Sequence, residues 1–179
     1  MRALFKTAIA CLLTLRALPV GAGTGAGIEL RDIPGTKSAW QEGTAIIDAP
    51  RDEVRRWLTD YAKWPEHFPD ITWSQPLGRD DRGRNVVRFH SKIAGSTLTV
   101  HEAVGRDLLV FEGVGKHVHT QGRIHLIDLG GNKTRVIMQS TADVQGVAKV
   151  FATQRLKRDR AFKVTRAHLN ALRSLAESR

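Results

Sequence analysis

Six short β-prone runs, each cut off by a turn cluster, precede one long stretch free of glycine and proline, and this order limits the chain to few architectures. The runs fall near 71–77, 84–92, 97–104, 108–114, 118–129 and 133–143. Between them stand Arg79-Asp-Asp-Arg-Gly83, Ala94-Gly95-Ser96, Gly105-Arg-Asp107, Gly115 and Gly130-Gly-Asn132. Strands at this spacing, joined by loops this short, are expected to be consecutive antiparallel neighbours. Alternation assigns their faces: Val87 and Phe89 oppose Arg88 and His90, and Leu98 and Val100 oppose Thr97, Thr99 and His101. An earlier run, Trp40 to Asp48, predicts a further strand with Ala45 and Ile47 on one face and Thr44 and Ile46 on the other. About seven strands result.

Between that first strand and the meander the periodicity is helical. Pro50 suits a first helical position, and Asp52 and Glu53 complement the helix dipole. Val54, Trp57, Leu58 and Tyr61 recur at i, i+3, i+4 and i+7, one buried stripe. Trp64-Pro65 is expected to break this helix, because a residue before proline is disfavoured in the helical region. Pro69 closes a second short turn. From Val147 to Glu177 the period is helical again. A sheet of this kind cannot bury its inner face alone, so the expected class is α+β, with a curved antiparallel sheet wrapped around the long C-terminal helix.

The N-terminus has the pattern of an export leader. A basic start (Met1–Lys6) precedes an apolar run (Thr7–Leu15), and Val20 and Ala22 suit the −3 and −1 positions of a cleavage site. Arg16 interrupts the apolar run, and a spanning helix needs about 17–25 apolar residues. The expected organisation is a signal peptide over 1–22, a flexible glycine-rich linker over 23–38 and one domain over 39–179. Cys11, the sole cysteine, would leave with the leader, so the mature chain is expected to work without thiols, in a periplasm or beyond it.

The formal net charge is +10. Between Lys149 and Arg173 eight basic residues stand against Asp159 alone. Such a helix suits an anionic surface, and export favours lipid headgroups over nucleic acid. The plainer reading is a solvated helix face.

Ile47-Asp-Ala-Pro-Arg-Asp-Glu-Val54, then Leu58-Thr-Asp-Tyr61 and Trp64-Pro-Glu-His-Phe68-Pro-Asp-Ile71, resemble the opening of the START-like (SRPBCC, Bet v 1-like) superfamily. Gly122-Arg-Ile-His-Leu126 and Gly130-Gly-Asn-Lys-Thr-Arg-Val136 resemble its penultimate hairpin. The nearest branch is the polyketide cyclase/dehydrase and coenzyme Q-binding START group. The resemblance covers roughly 40–178 and implies a helix-grip fold with an apolar cavity between sheet and helix. Members bind sterols, lipids, quinones or polyketides, and some catalyse cyclisation or hydrolysis. The superfamily has no universal catalytic residue, so no catalytic residue and no cofactor are assigned.

On a helical wheel Phe151, Gln154, Arg158, Phe162, Thr165, Leu169 and Leu172 share one stripe. Arg158 is anomalous on an apolar face, since a buried guanidinium without a partner is costly. One reading makes it an anchor for a ligand headgroup, with Gln154 and Thr165 as supporting donors. The other pairs it with an inward Glu102 or Glu112, or lets it snorkel to solvent. Trp64 and Phe68 are the candidate lid, and Phe89, Val100, Ile124 and Leu126 the candidate wall. His117, His119 and His125 alternate with Val118, Ile124 and Leu126, which puts the histidines on the outer surface and argues against a metal site. The expected protein is a monomeric, non-enzymatic carrier or sensor of a hydrophobic small molecule. The alternative is a cyclase or dehydratase using a cavity arginine and a carboxylate.

Overall fold

A computed structural model describes residues 27–35, 40–145 and 154–178. The expected leader, Phe151 and the side chain of Gln154 lie outside the described residues.

The elements run β1 (Glu29–Ile33), β2 (Trp40–Ile47), α1 (Arg51–Thr59), a 3-10 turn (Tyr61–Lys63), α2 (Trp64–His67), β3 (Ile71–Arg79), β4 (Asn85–Ser91), β5 (Ser96–Val104), β6 (Leu108–Gly115), β7 (Val118–Gly130), β8 (Lys133–Val144) and α3 (Gln154–Glu177). All eight strands form one antiparallel sheet in the order β1-β2-β8-β7-β6-β5-β4-β3. The meander therefore runs backward from β8 to β3, and β2 joins it beside the last strand. The seven strands expected from β2 to β8 are all present.

The eighth strand corrects the linker. Residues 29–33, expected to be a low-order tether, pair with β2 from Glu29↔Thr44 to Ile33↔Trp40. Leu30 faces Gly43 on the inner side, while Arg31 reaches Glu42 on the outer side at 2.6 Å. The alternation of Ile28 and Leu30 with Glu29 and Arg31 carried this information, hidden between a glycine run and Pro34.

A second correction concerns Trp64-Pro65. Helix α1 already ends at Thr59, where Asp60 leaves helical geometry (φ −81°, ψ 71°). Trp64 is helical (φ −54°, ψ −38°) although proline follows it, and Pro65 lies in the first turn of α2. There its missing N–H costs nothing. Trp64 is held in place by its indole N–H, which donates to the Leu58 carbonyl at 3.0 Å.

The inner face of the sheet carries Ala45 and Ile47 (β2), Val136 and Met138 (β8), Ile124 and Leu126 (β7), Leu109 (β6), Leu98 and Val100 (β5), and Val87 and Phe89 (β4), all buried. Helix α3 packs on β2, β8 and α2, burying Thr165, Leu169, Ala171 and Leu172. It comes close to the sheet at Gly43, where a Cβ would sit 2.3 Å from the Thr165 Cγ2 and 3.1 Å from the Leu169 Cδ1. A glycine on β2 thus lets the helix settle onto the sheet. Among the described residues, no helix is long and apolar enough to cross a membrane.

Candidate ligand-binding concavity

Strand register decides which side chains can line a site between sheet and helix. Phe111, Val118, Thr120, Ser140, Ala142 and Val144 all share the inner face with the core residues. Yet each keeps intermediate exposure. They cluster at the start of β7, the end of β8 and the facing part of β6. The concave face is therefore filled at one end and reachable by solvent at the other. Glycines shape its floor: a Cβ on Gly122 would meet the Phe111 ring at 2.3 Å, and one on Gly113 the methyls of Thr120 and Val100 at 2.8 and 2.9 Å.

Of the expected site residues, Trp64, Phe68 and Phe89 come together. Trp64 packs edge-on against Phe89 (5.1 Å between centroids), Phe68 (6.1 Å) and Tyr61 (5.2 Å). Phe68 and Phe89 are buried, so this cluster seals the junction of α2 with β4. Val100, Ile124 and Leu126 are buried on the inner face as expected, Thr165 is buried against Gly43, and Phe162 is half-buried.

Arg158 goes elsewhere. Its guanidinium pairs with Asp32 of β1 at 2.9 Å, its side chain is 52% exposed, and it lies 5.2 Å over the Phe162 ring. The structure places it at the rim, not inside as a headgroup anchor. Its carboxylate partner is Asp32, not the expected Glu102 or Glu112, because residues 29–33 form an edge strand beside β2 that the glycine run before it hides in the sequence.

Glu102 instead forms a separate buried cluster. It stands on the inner face opposite Asn85 and Phe111, and it is 4% exposed. The Tyr61 hydroxyl donates to it at 2.5 Å, and the Asn85 amide donates to the Tyr61 oxygen at 3.0 Å. Burial pushes the Glu102 carboxyl up to about 7, against the opposing effect of the Tyr61 hydrogen bond. Burial, and then the neighbouring Glu102, push the Tyr61 phenol up as well. The signal was present in sequence: Glu102 continues the inward parity of Leu98 and Val100.

A second buried acid, Asp70, accepts from Ser91 Oγ at 2.9 Å and meets His168 Nε2 of α3 at 3.0 Å. Burial opposes its ionisation, but His168 and Ser91 outweigh that and hold its carboxyl below the usual carboxylate range. The cluster ties α3 to the α2–β3 junction. Two neutral groups differ: the Gln41 amide oxygen and the Ser74 hydroxyl are buried without a hydrogen-bond partner.

The histidines on β5 and β7 are placed as their alternation implies. His119 meets Glu112 at 3.0 Å and His101 meets Asp80 at 2.9 Å, both on the outer face. On α3, Arg160, Lys163 and Arg166 are exposed, whereas Lys157 lies 3.7 Å from Asp143 with its side chain 14% exposed.

The sequence profile described as "Polyketide cyclase / dehydrase and lipid transport" matches residues 41–177. The chain belongs to this family. The same helix-grip arrangement is found in a START superfamily protein from Mycobacterium smegmatis (16% identity, TM-score 0.68, covering 78% of this chain and 97% of that one). It is found in the Zhui aromatase/cyclase from a Streptomyces species (22%, 0.64, covering 84% and 96%). A STAR-related lipid transfer protein from Xanthomonas axonopodis is similar too (18%, 0.61, covering 87% and 97%). Among curated proteins, none matches. At these identities the solved structures show the fold, and since they include both a cyclase and a lipid transfer protein, the chemistry is left to the residues.

Proposed function

We propose that this family member is a non-enzymatic carrier or sensor of a hydrophobic small molecule, exported by its N-terminal leader and working at the bacterial envelope. The observation that carries this reading is the inner face itself: apolar walls, a glycine-lowered floor and a half-exposed end at Phe111, Val118 and Ala142. An apolar concavity with few polar groups suits recognition of a largely apolar ligand. The likeness to a STAR-related lipid transfer protein points the same way. The exposed Arg160, Lys163 and Arg166 suit contact with anionic headgroups, where such ligands reside.

The enzyme alternative has lost its arginine, because Arg158 is engaged with Asp32 at the rim. What favours it is Glu102, a buried carboxyl raised to about 7, in the range that suits proton transfer. Glu102 is held by Tyr61 and is 4% exposed, so the carrier reading is the better supported. Protein purified from a periplasmic extract and analysed by native mass spectrometry should carry a co-purifying apolar molecule that organic extraction releases unchanged. Protein that is ligand-free, and that fails to take up apolar probes, would refute the carrier reading.

A further inference from the structure

Gln41 stands on the inner face of β2, between Asp32 of β1 and Ser140 of β8. Next to it on that face is Gly43, where α3 presses onto the sheet. Directly across from it on β1 is Asp32, which holds Arg158 at the rim. Gln41 is 3% exposed, and its amide oxygen meets neither solvent nor a donor. A buried polar atom left unpaired is unfavourable, and no turn or cap of the fold uses it. Ser140, its cross-strand neighbour, presents a hydroxyl on the same face at intermediate exposure.

The charged groups nearby are accounted for. Glu102 is held by Tyr61, Asp70 by His168 and Ser91, and Arg158 by Asp32. Two largely buried cations are engaged as well, Arg51 with Asp107 at 2.7 Å and Lys157 with Asp143 at 3.7 Å, each side chain 14% exposed. An anionic headgroup entering the concavity would give up its water to meet cations that already hold carboxylate partners, which is unfavourable. A hydroxyl would lose little, because an amide can both donate to it and accept from it.

From this we infer that Gln41, with Ser140 beside it, is the polar contact of the concavity, and that the ligand's polar end is uncharged, an alcohol-type group on an apolar body. The inference rests on the carrier reading and narrows its ligand class. Two probes of equal chain length, dodecanol and dodecanoate, separate the possibilities when titrated at pH 8 and followed by tryptophan fluorescence. The wild-type protein should bind dodecanol at least about 10-fold more tightly than dodecanoate, since the carboxylate must be desolvated without a partner. Gln41→Met, similar in size and apolar, should weaken dodecanol by roughly 3- to 10-fold while leaving the melting temperature unchanged or raised. Equal binding of the two probes, or a Gln41→Met protein with undiminished affinity for dodecanol, overturns the inference and leaves the carrier reading standing. Binding of neither probe overturns both. The wild-type comparison decides the charge question even if the variant does not fold.

Discussion

The Tyr61 hydroxyl donates to the Glu102 carboxyl across 2.5 Å, joining the turn after α1 to the middle of the sheet. The acid lies on the inner face between Val100 and the Phe111 ring, and burial holds its proton up to about 7. Between the ordinary carboxylate range and that value, the unfolded chain has released this proton and the folded chain has not. Stability contributed by this group is therefore present at low pH and lost as pH rises toward 7. A melting-temperature profile of the wild type should show this fall. Glu102→Gln keeps an acceptor for Tyr61 and should remove it, making the variant the more stable protein at pH 8. Parallel profiles for the two proteins would show that Glu102 is not the cause.

Asp70 titrates in the opposite sense. Its carboxyl is held below the usual range, so its contribution is present at neutral pH and is lost as pH falls through the lowered value. Asp70→Asn should cost about 2 kcal/mol in urea denaturation at pH 7, the size of a charge-assisted hydrogen bond. The loss should shrink in acid. His168→Ala should reproduce part of it, since His168 supplies one of the two side-chain partners.

The seating of α3 on β2 is tested at Gly43. Gly43→Ala places a methyl 2.3 Å from the Thr165 Cγ2, and a β-branched side chain in a helix has little freedom to turn away. Overpacking of this kind costs about 1–3 kcal/mol. Thr165→Ser removes the clashing methyl, so the double variant should regain a large part of the loss. Simple additivity of the two changes in a denaturation cycle would contradict this account of the contact.

Membrane association should depend on the exposed cations of α3. Arg160, Lys163 and Arg166 changed together to Gln should weaken binding to phosphatidylserine vesicles by roughly two orders of magnitude at low salt, at about 1 kcal/mol per residue. Lys157→Gln should have little effect, because that side chain is tucked against Asp143. Unchanged vesicle affinity in the triple variant would remove the membrane from the proposed function.

Sequence alone determined what depends on near neighbours along the chain. The period-two alternation of Leu98 and Val100 or of Ile124 and Leu126 sets strand faces locally, and the turn glycines set strand ends. The stripe Val54, Trp57 and Leu58 sets the buried side of α1. These signals gave the meander and the terminal helix. Only the tertiary structure decided partnership. Asp32 meets Arg158 across 126 residues, Tyr61 meets Glu102 across 41, and Asp70 meets His168 across 98. No local periodicity encodes such pairs. Where a charged side chain ends depends on which donors and acceptors the folded backbone brings within about 3 Å, and the Gln41 amide oxygen is left unpaired for the same reason.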